Sequence, residues 1–268
     1  MSIISLLSDF GIKDSYVAQM KAVILSINPN VIIIDITHEI EKFNIRNGAF
    51  VLASAVASFP PKTIHVAVVD PGVGTRRRPI IIETKKNLFV GPDNGLLLLA
   101  ASKEDILKIY SIENPKYILS NISKTFHGRD IFAPAAAYLS TAISPSLFGK
   151  EIHDYQIPEF AKKNIRKGKI IGEILHVDDF GNIISNISSE DLKQAGLSDK
   201  KSLKVTIGNN TLNLEFSSTY GKVPIGIPLA LIGSRGFLEC SINTGNFSKR
   251  FEVQIGEFFS VSENISID

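Results

Sequence analysis

The chain has 268 residues, 44% of them hydrophobic, enough to bury a substantial core in one large domain or two smaller ones. Its 29 basic and 27 acidic side chains nearly cancel, which argues against nucleic acid or an anionic membrane as partner and favours a small molecule. The single cysteine, Cys240, excludes an internal disulfide and a cysteine-based metal cage, and fits a reducing compartment, here taken as the cytoplasm.

The opening MSIISLLSDFG lacks a basic start and its short apolar run is interrupted by Asp9, so it reads as a first strand rather than a signal peptide. No run approaches the roughly 18 to 20 apolar residues of a membrane span, and a soluble protein is expected. Strand Ile3 to Leu7 is followed by a helical pattern from Tyr16 to Ile27, with Asp14 or Ser15 as its cap, Val17, Met20, Ile24 and Ile27 on one side, and Pro29 as its stop. A strand from Val31 to Ile36, a helix from Ala49 to Phe59 and a strand from Ile64 to Val69 continue the alternation. Strands apolar on both faces and separated by helices predict a mostly parallel sheet covered by helices, an α/β fold. Further strands are expected at Ile80 to Glu83, Leu88 to Val90 and Ile106 to Tyr110, and a helix from about Asp130 to Thr141.

Between Pro158 and Lys169 the text turns to AKKNIRKGK, a charged stretch that suits a solvated connection and divides the chain into domains 1–160 and 161–268. Beyond it, strands are expected at Ile170 to Val177, Ile183 to Ile187, Leu203 to Ile207, Leu212 to Phe216, Leu229 to Ile232, Phe237 to Ile242 and Phe251 to Ile255. Turn signals separate them, and a short helix fits Ser189 to Ala195. That spacing predicts a small β-barrel or sandwich.

Several short motifs carry chemistry-bearing residues. SDFG puts Asp9 at the end of a buried strand, where it either accepts from a ribose diol or stabilises a turn. VVDPGVGTRRR ends a strand on Asp70, and Gly72, Gly74 and Thr75 form either an anion-binding backbone nest or a plain turn with a solvated basic run. The spacing fits neither a Walker loop nor a dinucleotide fingerprint. TFHGRD sets His127 ahead of a helix, with Arg129 and Asp130 a candidate surface pair. VDDFGN reads as a hairpin turn, in which Gly181 supplies a positive φ and the Asn182 side chain bonds to backbone. His38, His65, His153 and His176 have no metal-binding spacing and read as structural, and no metal or cofactor is expected.

Together these motifs, with DITHEI and the following Phe43, GPDNG, and GSRGFLE, occur in an order that resembles the adenosyl-forming S-adenosylmethionine (SAM) hydrolases, or SAM hydroxide adenosyltransferases, relatives of the fluorinating and chlorinating SAM enzymes. The resemblance covers nearly the whole chain. It implies an α/β N-terminal domain, a β-barrel C-terminal domain, and a homotrimer with SAM between neighbouring copies. It further implies Asp70, Arg77 and His127 as the group that activates water. Asp9 would bind the ribose hydroxyls, with Phe43 and Asn94 also in the substrate-binding set. Asp178 and Asn182 would serve the methionine end, Ser234 and Glu239 would lie near the same cleft, and Tyr220 would stack on adenine.

The halogenating relatives are similar but have tyrosines at the places of Asp70 and His127, a serine at Gly128 in the fluorinating branch, and an insertion between the counterparts of Arg78 and Leu88. The resemblance therefore favours water over halide. Preforming hydroxide from water at pH 7 would cost about 12 kcal/mol, so a proton acceptor has to act as the bond forms, and either Asp70 or His127 can serve. Competing readings are a SAM or adenosine sensor without turnover, and a phosphate binder using the Gly72 to Thr75 nest.

Overall fold

Six strands form the sheet of the N-terminal unit: β1 (Ile3–Ser8), β2 (Ile32–Thr37), β3 (Ile64–Val68), β4 (Pro79–Thr84), β5 (Leu88–Pro92) and β6 (Ile106–Ser111). They lie in the order β2-β1-β3-β5-β4-β6. The β2, β1, β3 and β5 neighbours run parallel, whereas β4 runs antiparallel to both β5 and β6. The computed structural model describes residues 2–263 and divides the chain into two units, Met1–Pro158 and Glu159–Asp268.

Strand residues two apart share a face. Ile4 and Leu6 on β1, with Ile64, Val66 and Val68 on β3, pack with helix α1 (Tyr16–Ile27) and helix α4 (Ala133–Ser140). The alternate residues Leu7, Ala67 and Phe89 are equally buried, which is why these strands read as continuous apolar runs. Between α1 and α4 in sequence, helix α2 (Ile45–Ala55) buries Ala49, Phe50, Leu52 and Ala53, and helix α3 (Leu98–Ala101), which packs with α2, is buried throughout.

The helix starts depart from the sequence expectation for local reasons. Helix α1 begins after Ser15, but neither Asp14 nor Ser15 caps it; the Ser15 hydroxyl instead accepts from Gln19 Nε2. Helix α2 starts at Ile45 rather than Ala49 because Asn44 accepts from Asn47 N and opens the helix earlier. Ahead of α4, Gly128–Phe132 forms a π-helical turn, so the α-helix proper begins at Ala133 and not at Asp130. Such turns occur often at functional sites.

The C-terminal unit is a closed barrel. Strands β8 (Lys169–Val177), β9 (Ile183–Ser188), β10 (Ser202–Ile207), β11 (Asn210–Phe216), β12 (Pro228–Ile232), β13 (Phe237–Ile242) and β14 (Phe258–Glu263) form a ring, and β14 closes it against β8. Closure leaves no exposed ladder within the ring. Ile170, Ile174, Ile183, Leu203, Val205 and Leu238 are among the side chains that fill it.

Two expectations are corrected here. The charged stretch before Lys169 is not only a connection: Asn164–Arg166 forms strand β7, a hairpin with β8 that turns at Gly168, whose φ is 75°. Phe251 to Ile255 is not a strand, because the Asn246 side chain accepts from Lys249 N and starts helix α6 (Phe247–Phe251), which ends at Glu252 with φ 54°. The last barrel strand is Phe258–Glu263 instead. Helix α5 (Ser189–Ala195) stands where expected, held by a capping box between Ser188 and Asp191 and stopped by left-handed Gly196.

Within the sheet, His65 on β3 is fully buried, bonded through Nδ1 to Ser5 Oγ at 2.6 Å and stacked on Phe89. Burial pushes its imidazole down to about 4. The unfolded chain therefore takes up a proton near pH 6.5 that the folded chain refuses until about pH 4, so stability falls as pH falls through this window, by roughly 3 kcal/mol between pH 7 and pH 4. The double variant Ser5→Ala/His65→Phe removes the titration and leaves no unpaired hydroxyl. Urea unfolding at pH 7 and pH 4 should show wild type losing roughly 3 kcal/mol more than this variant, and equal losses would refute the assignment.

Candidate active site

Loops at the carboxyl ends of β1 and β3, with the segment before α4, line a cleft of about 610 Å³ in the N-terminal unit. Asp9, Phe10, Lys42, Phe43, Asp70 and Phe126 are among its walls. Ligands of open α/β sheets bind at such strand ends.

Asp9 follows β1 directly and is 6% exposed. Its Oδ2 accepts from Phe43 N at 2.9 Å, and its carbonyl accepts from Lys42 Nζ. Phe43 itself is 69% exposed in a left-handed conformation, φ 64°. The ring of Phe10 meets Tyr16 at 5.8 Å and Phe126 at 5.7 Å, Tyr16 meets Phe126 at 5.1 Å, and the Arg129 guanidinium lies 5.0 Å over Phe126. This aromatic wall was missed in the sequence, although Phe10 and Phe126 sit inside SDFG and TFHGRD beside residues that were picked out.

Asp70, Arg77 and His127 come together. Arg77 Nε lies 3.0 Å from both Asp70 oxygens, and its Nη2 donates to Asp70 Oδ2 as well as to His127 Nδ1 at 2.8 Å. The Asp70 and Arg77 side chains are 4% and 9% exposed. A guanidinium can only donate, so His127 Nδ1 must accept, which assigns the ring to the neutral form with its proton on Nε2. Burial, then the Arg77 cation, hold this imidazole below the usual histidine value. Arg77 Nη1 is buried without a hydrogen-bond partner, a costly state unless a ligand supplies an acceptor.

The turn that carries this group is not an anion nest. Val73 N donates to Asp70 O and Thr75 N to Gly72 O, while the Thr75 hydroxyl also donates to Gly72 O, so these donors are occupied. Nor is the arginine run simply solvated. Arg76 is exposed, but Arg78 binds Asp93 at 2.8 Å and Asp154 at 2.7 Å. Asp130, expected in a surface pair with Arg129, makes that pair while fully buried. Asn94 is drawn into local structure, donating to Val69 O and accepting from Leu96 N, and does not line the cleft. A Cβ on Gly128 would press within 3.2–3.3 Å of the Phe10 ring and of Met20 Sδ.

The barrel unit has its own cavity of about 740 Å³, lined in part by Asp178, Phe180, Asn182, Tyr220 and Asn246. Asp178, not Asn182, organises the DFGN turn. Its Oδ1 accepts from the amides of Phe180 and Asn182, and its Oδ2 from Asn182 Nδ2. Gly181 has φ 81° and packs so close to Asn246 that a Cβ would fall 2.0 Å from it. Tyr220 donates to Glu239 Oε1 at 2.6 Å, and burial, then this carboxylate, push its phenol up. Glu239 is buried under that contact and Ser234 is exposed; neither lines the cavity. Among the described residues, no group of three or more His, Cys, Asp or Glu is placed to hold a metal ion, and no helix is long and apolar enough to cross a membrane.

Comparison with known proteins matches two family models, the SAM hydroxide adenosyltransferase N-terminal domain over residues 4–149 and C-terminal domain over residues 172–260. The chain is 38% identical to an (R)-S-adenosyl-L-methionine hydrolase of Methanocaldococcus jannaschii, across 94% of this chain and 93% of that protein. It is 27% identical to a fluorinase of Actinoplanes, across 97% of each. A crystal structure of a conserved Thermotoga maritima protein superposes with TM-score 0.81 at 39% identity, covering 97% of this chain and all of that one. The chain belongs to the SAM hydroxide adenosyltransferase family.

Proposed function

We propose that this chain hydrolyses S-adenosyl-L-methionine, in the (R) form named for its relatives, to adenosine and L-methionine. The observation that carries this reading is the Asp70, Arg77 and His127 group, placed where Asp70 lines the same cleft as Asp9. Asp9 accepts from the ribose hydroxyls, and water attacks the ribose 5′ carbon in line with the bond to sulfur. That bond's electron pair leaves with sulfur, giving methionine as a neutral thioether, and the water's proton passes to the protein.

The hydrogen bonding favours Asp70 over His127 as the acceptor. His127 Nδ1 is engaged by Arg77, so its Nε2–H can only orient the water by donating to it. Asp70 Oδ1 accepts from Arg77 Nε alone and keeps lone-pair capacity for the water proton. The unpartnered Arg77 Nη1 supports a developing hydroxide nearby, and exclusion of bulk water strengthens each of these interactions. The tight packing around Gly128 speaks against a serine there, and thus against the fluoride-holding arrangement.

By resemblance, the active form is a homotrimer with substrate between neighbouring copies, where Tyr220 stacks on adenine and Asp178 and Asn182 meet the methionine end, and the single cysteine fits a cytoplasmic location. Native mass measurement should give about three times the 29.3 kDa chain.

Incubation with SAM in heavy-oxygen water should yield labelled adenosine and free methionine, unchanged by added chloride. A chlorinated nucleoside would move the chain to the halogenases, and intact SAM would make it a binding protein. Asp70→Asn should lower kcat by ~10²- to 10⁴-fold while SAM binding stays within severalfold. Turnover should fall as acid adds a second proton to His127 opposite Arg77, with the limb below the ordinary histidine value near 6.5. A His127→Asn enzyme should be slower and lack that limb; a limb that persists unchanged would assign the titration elsewhere.

A further inference from the structure

The Asp9 loop is tied to the loop carrying Lys42 and Phe43 by more than the contacts of Asp9 itself. Ser8, the last residue of β1, is 1% exposed, and its Oγ lies 2.7 Å from Nδ1 of His38, which is 4% exposed and follows β2. His38 Nε2 stands 3.2 Å from Asp35 Oδ1, within ion-pair range though off the line of a hydrogen bond. A carboxylate there favours the ring proton on Nε2, leaving Nδ1 to accept from the Ser8 hydroxyl. Ser8 Oγ in turn accepts from Phe10 N at 3.3 Å, and Gly11 N donates to the His38 carbonyl at 2.7 Å. The chain on both sides of Asp9 is thereby anchored to one histidine.

This serine, histidine and aspartate do not form a nucleophilic site. The Ser8 hydroxyl is closed off from solvent, and its hydrogen bonds face backbone and His38. We infer that Ser8 and His38 are positioning residues that hold the Asp9 carboxylate at the angle needed to receive a ribose diol, and so set the preference of the cleft for ribonucleosides over 2′-deoxyribonucleosides. The inference rests on the reading of Asp9 as the ribose acceptor. Its physical basis is that Asp9 has one oxygen fixed by Phe43 N, and only a rigid loop keeps the other aimed at a ligand.

The test is calorimetric titration of the full chain with adenosine and with 2′-deoxyadenosine, which needs no turnover. Wild type should prefer adenosine clearly. Ser8→Ala and His38→Leu should each weaken adenosine binding about tenfold and 2′-deoxyadenosine binding by much less, as expected when about one net hydrogen bond of positioning is lost. His38→Asn, which keeps an acceptor near the place of Nδ1, should restore the preference. If wild type shows no preference for the ribonucleoside, the Asp9 reading itself falls. If wild type discriminates and the variants discriminate equally, or lose both ligands in the same proportion, the positioning role alone is overturned. Should His38→Leu not fold, Ser8→Ala decides, because removing one buried oxygen leaves the packing almost unchanged.

Discussion

The arrangement of the N-terminal site depends on one guanidinium shared between a carboxylate and an imidazole. Arg77 satisfies Asp70 and occupies His127 Nδ1 at once, so a single buried cation fixes the orientation of one partner and the tautomer of the other. Removing Arg77 leaves the buried Asp70 carboxylate and the half-buried His127 Nδ1 without these donors, and removing Asp70 takes the counter-charge from a buried guanidinium, which makes the group strongly interdependent. The same cation lowers the basicity of the ring it touches. That trade suits a reaction whose leaving group, a thioether, needs no proton: the site has to orient a nucleophile and accept one proton, not shuttle two.

The backbone supplies this geometry through strand ends. Asp9 and Asp70 follow β1 and β3, which are adjacent and parallel, with Ser8 paired to Val68 in register. Two carboxylates far apart in sequence are thereby delivered to one side of the sheet, and the π-helical turn ahead of α4 places His127 opposite them. The buried apolar residues of β1 and β3 hold that register, because a slip of one residue would exchange the faces of every side chain.

Much of this was legible in the sequence, because hydrophobic periodicity reports burial directly. Strands such as Ile64–Val68 and the α1 stripe of Val17, Met20 and Ile24 follow from it. What periodicity could not give were elements set by a single side chain: the Asn44 and Asn246 caps that moved or created helices, and the β7 hairpin hidden in a charged stretch that packs only its central isoleucine. In the site, motif order led to Asp70, Arg77 and His127, which do come together. It also led to Asn94, whose side chain donates to Val69 O and accepts from Leu96 N, and gave no sign that Asp178 rather than Asn182 ties the DFGN loop. Hydrogen-bond allegiance is a three-dimensional property, and residue type alone does not fix it.

The choice of nucleophile is written in small side chains as much as in charged ones. Gly128 lies against Phe10 and Met20, with no space for a hydroxyl-bearing Cβ unless those neighbours shift. Phe10 is itself locked into the aromatic wall with Tyr16 and Phe126, so a shift there would disturb three rings together. A fluoride site built on a serine at residue 128 would have to lose the Asp70 carboxylate, which repels an anion, and gain room there. The first change takes the counter-charge from Arg77 and the second shifts the Phe10 ring and Met20 by a few tenths of an ångström, so water and fluoride chemistry are separated by coupled substitutions and not by one.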